Sequence, residues 1–125
     1  MTEEITLERV QELVTRGPFH QWLGLKVVAV HDDGIELTAT WREEWVVNPD
    51  RGYTHGGVLA ALVDLAADWA MVKKLGRGVP TIDLRVDYHA AAIPGGPRRG
   101  PASPAVRSGP RPRTRPARPC RDGPP

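Results

Sequence analysis

The sequence predicts an α+β domain in which an antiparallel sheet wraps around one long helix. Two segments, 35–42 and 81–89, alternate apolar and polar residues, a period of two that is typical of strands with one buried face. Between them, residues 58–72 are apolar apart from Asp64 and Asp68. A helix with so little polar surface must be enclosed by protein, most simply by a curved sheet on one side and a second subunit on the other.

The composition divides the chain after residue 94. Residues 1–94 carry 9 basic and 14 acidic side chains, a net charge of −5, whereas residues 95–125 carry 8 arginines and 1 aspartate, a net charge of +7. Proline, arginine and glycine fill 22 of the 31 positions of this tail. Such a composition cannot bury a core, so we expect one folded domain over 1–94 and a disordered tail over 95–125.

The residue types of the first part exclude several kinds of chemistry. Cys120 and the two serines, Ser103 and Ser108, all lie in the tail. The predicted domain therefore has no thiol or serine nucleophile and no disulfide. The four histidines lack the spacing of metal ligands, so we expect no metal and no cofactor. The acidic N-terminus and the lack of any long apolar run predict a soluble cytoplasmic protein with no membrane contact.

The other elements follow from local patterns. Helical spacing of apolar residues predicts a helix over 3–16, and 19–24 predicts a turn or one helical turn. Clustered β-branched residues predict a strand over 25–31, followed by a hairpin turn at 32–34. Residues 48–54 form a predicted loop before a helix over 56–75, which ends with Lys73, Lys74 and the capping Gly76.

The two aspartates of the long helix are spaced i and i+4, on one face. An unpaired buried carboxylate is costly, so each needs an explanation. Asp68 lies one turn before Lys73 and Lys74, which favours a solvated or lysine-paired side chain. Asp64 lies among apolar neighbours in mid-helix, which favours a functional carboxylate.

The helix opens with His55-Gly56-Gly57. Glycines at a helix start leave backbone N–H groups open to a ligand, and such groups stabilise an oxyanion. A plain helix start that tolerates glycine is the alternative. Gly57 and Asp64 are separated by about 10.5 Å along the axis, at about 1.5 Å per residue. This distance is too large for a single helix to supply both the oxyanion donor and the carboxylate to one substrate. A two-fold dimer would place one helix start beside the middle of the other.

Residues 48–64 and 80–88, with the entry segment 18–30, resemble the hot-dog fold acyl-CoA thioesterases of the phenylacetate-pathway (PaaI-like) type. The resemblance covers about residues 5–94. It implies the hot-dog fold, an acyl-CoA substrate, and a homodimer or homotetramer with active sites between subunits.

The resemblance also implies the roles of individual residues. Asp64 would be the nucleophile or the general base, and the Gly56 N–H would form the oxyanion hole. His55 and Asn48 would position the carbonyl or the water, while Thr81 would assist from the partner subunit. The predicted substrate contacts are Gly57, at the helix start, and Tyr53.

Two features depart from the family pattern. Asn48 lies seven residues before His55, where the family usually has six. The closing strands of the hot-dog sheet also have no counterpart in the Pro/Arg/Gly-rich tail, which reads like GC-rich DNA translated out of frame. We therefore expect a truncated or frameshifted domain with an unpaired edge at 81–89.

Three functions remain open. The first is hydrolysis of an acyl-CoA thioester by Asp-assisted water attack, without an acyl-enzyme. The second is a non-catalytic or degenerate hot-dog subunit that binds acyl-CoA or only assembles. The third is nucleic-acid binding by the arginine-rich tail, which the lack of interleaved aromatic residues argues against.

Overall fold

The computed structural model describes residues 6–93 and 104–109. Within these ranges the chain has three helices, α1 (Leu7–Val14), α2 (Pro18–Leu23) and α3 (Gly56–Leu75), with five short strands and a 3-10 turn at Glu43–Trp45. The strands are β1 (Lys26–His31), β2 (Gly34–Thr38), β3 (Val46–Asn48), β4 (Tyr53–Thr54) and β5 (Ala105–Arg107). One antiparallel sheet has the order β1-β2-β5, and β3 and β4 form a separate hairpin.

The first hairpin confirms the period-two analysis. β1 and β2 pair antiparallel around a two-residue turn, with His31 opposite Gly34. Ile35, Leu37 and Ala39 are almost completely buried, as their alternation predicts. They face a core to which α1, α2, the 3-10 turn and α3 contribute. The buried set is Val10, Val14, Leu23, Leu25, Val27, Ile35, Leu37, Ala39, Trp45, Leu62 and Ala66.

The helices agree with the sequence patterns in position. α1 begins after Thr6, whose hydroxyl accepts a hydrogen bond from the Arg9 N–H at 3.3 Å, and it ends at Val14, inside the predicted 3–16. Residues 1–5 lie outside the described part. The segment 19–24, predicted as a turn or one helical turn, lies mostly in α2, whose C-cap is Gly24 in the left-handed conformation. α3 spans the predicted residues, from Gly56 to Leu75.

The long helix α3 is covered on one side only in a single chain. Leu62 and Ala66 are buried against the sheet, whereas Val63, Ala67 and Met71 form an exposed stripe with a spacing of four residues. Within the described residues, one protomer therefore covers the side of α3 that the sequence assigned to a sheet and leaves open the side that it assigned to a second subunit. An apolar stripe of this kind is typical of an interaction surface.

The predicted strand over 81–89 is wrong. These residues belong to no helix or strand, and Ile82, which the alternation placed on the buried face, is 98% exposed. Alternation shows that a segment suits a sheet, but a strand forms only where a neighbour supplies ladder hydrogen bonds. Among the described residues, no strand pairs with 81–89.

The tail also differs from its prediction within the six residues described. Ala105–Arg107 form β5, with Val106 opposite Leu37 of β2. Ser108 extends the contact, because its N–H donates to the Ile35 carbonyl and its Oγ accepts from the Ile35 N–H, both at 3.0 Å. Disorder is therefore wrong for 104–109. The prediction for 95–103 and 110–125 lies outside the described residues, and the domain boundary at residue 94 stays a prediction.

Candidate active site

The start of α3 is built around the side chain of His55. Its Nδ1 accepts a hydrogen bond from the Gly57 N–H at 2.7 Å, and its own backbone N–H donates to the Trp45 carbonyl at 2.7 Å. A Cβ on Gly57 would lie 2.8 Å from the imidazole ring. Glycine at this position is therefore required by the histidine cap, which occupies the Gly57 N–H and withdraws it from a substrate.

Gly56 presents the free donor of the helix start. Its N–H has no hydrogen-bond partner within residues 6–93 and 104–109. Its carbonyl accepts from the Tyr88 hydroxyl at 2.6 Å, and a Cβ on Gly56 would lie 3.2 Å from the tyrosine ring. The first N–H groups of a helix carry partial positive charge, so this donor suits an anionic oxygen.

Asp64 and Thr81 are in direct contact. The Thr81 hydroxyl donates to Asp64 Oδ1 at 2.6 Å, which fixes the orientation of the carboxylate. The second oxygen, Oδ2, has no hydrogen-bond partner in the described part of the chain. The contact lies within one chain, so the expectation that Thr81 acts from the partner subunit differs from the structure.

Asn48 and Tyr53 flank the hairpin that leads into α3. Asn48 Oδ1 accepts from the N–H groups of Asp50 and Arg51, both at 3.1 Å, which holds the turn after β3. The Tyr53 hydroxyl accepts from Arg51 Nη1 at 3.4 Å. The side-chain carbonyl of Asn48 therefore supports the loop, and only the side-chain amide nitrogen remains available to a substrate.

The predicted residues form two clusters in one protomer. His55, Gly56 and Gly57 lie at the start of α3, and Asp64 with Thr81 lies two turns further along. Gly56 and Asp64 are eight residues apart, about 12 Å along the helix axis. One chain therefore separates the oxyanion donor from the carboxylate, as the spacing predicts.

Asp68 differs from its prediction. Burial raises the pKa of its carboxyl, and the charge of Asp64 raises it further, while the Val79 N–H and His20 act in the opposite direction. Lys73 donates instead to the His31 carbonyl. Asp68 Oδ1 is buried and has no hydrogen-bond partner among the described residues. Of the two expected environments, pairing with a lysine does not occur among the described residues, and solvent reaches the side chain only in part.

Tyr88 is a site residue that the sequence reasoning missed. Its alternation with Val86 assigned it to the buried face of a strand, where an aromatic ring needs no further explanation. The structure instead brings its hydroxyl to the helix start, while more than half of the side chain stays exposed. No local pattern signals this contact, because 32 residues separate the two partners.

In 6–93 and 104–109, no cluster of three or more metal-ligating side chains occurs. Within the same ranges, no helix has the length and apolar character that crossing a bilayer requires.

Comparisons with known proteins identify the family of this chain. The family model of the thioesterase superfamily matches residues 51–98, which include the start of α3, Asp64 and Thr81. No curated protein matches the chain. The chain is similar to the X-ray structure of a protein from the thioesterase superfamily, with 42% identity, a TM-score of 0.68, and coverage of 81% of this chain and 70% of the other.

Two further solved structures are similar. A Pseudomonas aeruginosa protein is 33% identical with a TM-score of 0.58, over 70% of this chain and 67% of its own. A Shewanella oneidensis protein related to the thioesterase superfamily is 29% identical with a TM-score of 0.54, over 68% of this chain and 66% of its own. The antiparallel sheet and long helix match the hot-dog architecture of these neighbours. The chain therefore belongs to the thioesterase superfamily.

Proposed function

We propose that this chain hydrolyses an acyl-CoA thioester in the cytoplasm, as a thioesterase of the phenylacetate-pathway type. Membership of the thioesterase superfamily supports thioester hydrolysis in general. The observation that carries the finer assignment is the contact between Thr81 and Asp64 Oδ1 at 2.6 Å, which leaves Oδ2 free for a water molecule.

The chemistry follows from these groups. Asp64 Oδ2 accepts a proton from water as the water oxygen bonds to the thioester carbonyl carbon. The Gly56 N–H donates to the developing oxyanion. The tetrahedral intermediate collapses with cleavage of the C–S bond, and the thiolate of CoA takes up the proton from Asp64. The products are the free acid and CoA, with no acyl-enzyme.

The reaction requires a second protomer, because about 12 Å separates Gly56 from Asp64 in one helix. A homodimer with antiparallel α3 helices brings the Gly56 of one subunit to the Asp64 of the other. The exposed stripe of Val63, Ala67 and Met71 supports this arrangement, since it supplies the apolar surface that such a contact buries.

The decisive experiment measures CoA release from a panel of acyl-CoA esters. Asp64→Asn keeps the size of the side chain and its hydrogen bond from Thr81 but removes the base. We expect at least a 10²-fold lower rate, the usual scale for a lost general base. Asp83→Asn, an exposed carboxylate on the following segment, is the matched control and should keep the wild-type rate.

Full activity of Asp64→Asn would refute the assigned base. A wild-type protein that binds acyl-CoA without releasing the thiol would instead favour a non-catalytic subunit. One observation favours this second candidate. The segment 81–89 is largely exposed and pairs with no strand among the described residues, as expected for an incomplete sheet.

A change of reading frame after about residue 94 would explain such an incomplete sheet. Gene sequencing with mass spectrometry of the native protein tests that hypothesis, and an intact frame would refute it.

A further inference from the structure

A chain of two hydrogen bonds crosses the first peptide group of α3. The Tyr88 hydroxyl donates to the Gly56 carbonyl at 2.6 Å. The N–H of the same peptide group, which belongs to Gly57, donates to Nδ1 of His55 at 2.7 Å. The two bonds therefore lie at opposite ends of one peptide plane, and they connect the phenol of Tyr88 to the imidazole of His55.

A peptide group transmits the effect of one hydrogen bond to the other. When a carbonyl accepts a hydrogen bond, the N–H of the same amide becomes a better donor, by roughly 10–30% per bond. A carbonyl oxygen has two lone pairs, so that of Gly56 can accept the phenol in addition to a bond within the helix. The Tyr88 hydroxyl therefore strengthens the bond from the Gly57 N–H to His55.

The approach of Tyr88 is fixed by close packing and by a second contact of its segment. A Cβ on Gly56 would lie 3.2 Å from the tyrosine ring, so glycine at this position lets the phenol reach the carbonyl. Four residues after the tyrosine, the Ala92 carbonyl accepts from the N–H of Thr54, the last residue of β4, at 2.9 Å. The segment 88–92 is thus attached at both ends to the start of α3.

The contact with Gly57 determines which nitrogen of His55 carries the proton. Nδ1 accepts from an N–H group, so in the neutral imidazole it holds no proton, and the proton lies on Nε2. The side chain of His55 is exposed, and its Nε2 has no hydrogen-bond partner in the described part of the chain. The ring therefore presents one N–H donor beside the helix start and no free basic nitrogen.

We propose that Tyr88 is a positioning residue, which acts through the peptide group between Gly56 and Gly57 to hold His55 with its proton on Nε2. The kinetic part of this inference rests on the proposed hydrolysis; the structural part does not. In that reaction the Nε2–H donates to the thioester carbonyl oxygen together with the Gly56 N–H. His55 then cannot accept a proton from water, and Asp64 remains the base. Tyr88 touches neither the reacting carbonyl nor the water.

Nuclear magnetic resonance on the isotopically labelled full chain measures this bond directly. In the wild type we expect the His55 ring with its proton on Nε2, and a scalar coupling between Nδ1 and the Gly57 amide nitrogen. Tyr88→Phe removes one oxygen from a side chain that is about half exposed. In this variant the coupling should weaken and the Gly57 amide proton should shift upfield, while amides in the middle of α3 keep their shifts. A wild-type ring with its proton on Nδ1 would overturn the proposal, and so would an unchanged Gly57 signal in the variant.

Kinetics with acyl-CoA esters test the consequence for catalysis. In Tyr88→Phe we expect kcat to fall about 3- to 10-fold, the net scale of one hydrogen bond, with KM within about twofold. Thr40→Val is the matched control, because the Thr40 hydroxyl also donates to a glycine carbonyl, that of Gly24 at 3.4 Å, away from the site. The control should keep the wild-type kcat. A loss in Tyr88→Phe that is confined to KM would indicate direct contact with the substrate and overturn the positioning role.

A double-mutant cycle shows whether Tyr88 acts through His55. In a His55→Ala background the Nδ1 acceptor is absent, so adding Tyr88→Phe should lower kcat by less than about twofold further. A full additional loss would overturn the proposal, because the effect of the tyrosine would then be independent of the histidine. If the wild-type protein releases no CoA, the proposed function fails, and the His55 tautomer with the Gly57 signal still decides the role of Tyr88.

Discussion

At the scale of single residues, the hydrogen bond between the Gly57 N–H and His55 explains the second glycine of the His-Gly-Gly motif. The imidazole lies over the helix start and accepts from the Gly57 N–H, so a side chain at that position would collide with the ring. The neighbouring Gly56 is held by Tyr88 through its carbonyl, which leaves its N–H as the available donor. The two glycines therefore serve different purposes, one in the cap and one in the proposed oxyanion site.

Asp68 supplies the residue-scale prediction for stability. Its pKa is raised in the fold, chiefly by burial, so the ionised form is less favourable in the folded than in the unfolded chain. The stability that this group contributes when protonated is present below its ordinary pKa of about 3.9 and is lost as pH rises through the raised value. Asp68→Asn should therefore be more stable than wild type at pH 7.

Thermal unfolding followed by circular dichroism at several pH values measures this difference. The gain of Asp68→Asn in Tm should shrink as the pH falls towards about 4 and vanish below that pH, because the wild-type carboxyl is then protonated in both the folded and the unfolded state. Asp83→Asn is the exposed control. A Tm difference that stays constant from pH 7 to pH 4 would contradict the assignment of the effect to ionisation.

At the scale of elements, short-range signals decide where helices end and which short runs can form strands. α3 ends at Leu75, and its C-cap Gly76 adopts a left-handed φ of 69° and donates its N–H to the Val72 carbonyl at 2.8 Å. β5 forms within a proline-rich tail because Ala105–Arg107 contain no proline, so each residue can contribute to the ladder with β2. Composition averaged over the whole tail conceals such a run.

Gly76 and Gly78 form a matched pair for the element-scale prediction. A Cβ at either position would meet nothing within 4 Å, but only Gly76 has a positive φ. Gly76→Ala should therefore lower the free energy of unfolding by about 1 kcal/mol, the cost of a left-handed alanine, whereas Gly78→Ala should not destabilise the protein. Urea denaturation measures both, and equal losses in the two variants would contradict the cap.

At the scale of the whole molecule, apolar surface remains after the core has formed. Met71 on α3 is 44% exposed and Ile82 is 98% exposed, although both belong to segments that the sequence assigned to an interior. A second subunit is the economical cover for such surface. The proposed catalysis also needs that subunit, so assembly and activity should be lost together.

Met71→Glu tests this link, because it places a charge on the exposed stripe of α3 while leaving the core intact. We expect the sedimentation coefficient to change from that of a dimer to that of a monomer. The rate of acyl-CoA hydrolysis should fall at least 10²-fold, the scale of a lost oxyanion donor. Val28→Glu, on a half-exposed position of β1, is the matched control and should stay dimeric. An active monomeric Met71→Glu protein would contradict the shared site.

The sequence by itself determined the elements whose signals are local. The first hairpin, the bounds of α3 and its glycine cap follow from alternation, helical apolarity and one left-handed position, all of which act within a few residues. The motif at the helix start and the mid-helix carboxylate also identified the candidate site, since their chemistry depends on residue type and helix geometry.

Only the tertiary structure decided the contacts between distant segments. The approach of Thr81 to Asp64, of Tyr88 to Gly56 and of β5 to β2 joins residues separated by 17, 32 and about 70 positions, and no local pattern encodes them. The same reason explains the wrong strand at 81–89. Alternation reports a preference for a sheet, whereas a neighbouring strand, which lies elsewhere in the chain or in another subunit, decides whether a strand forms.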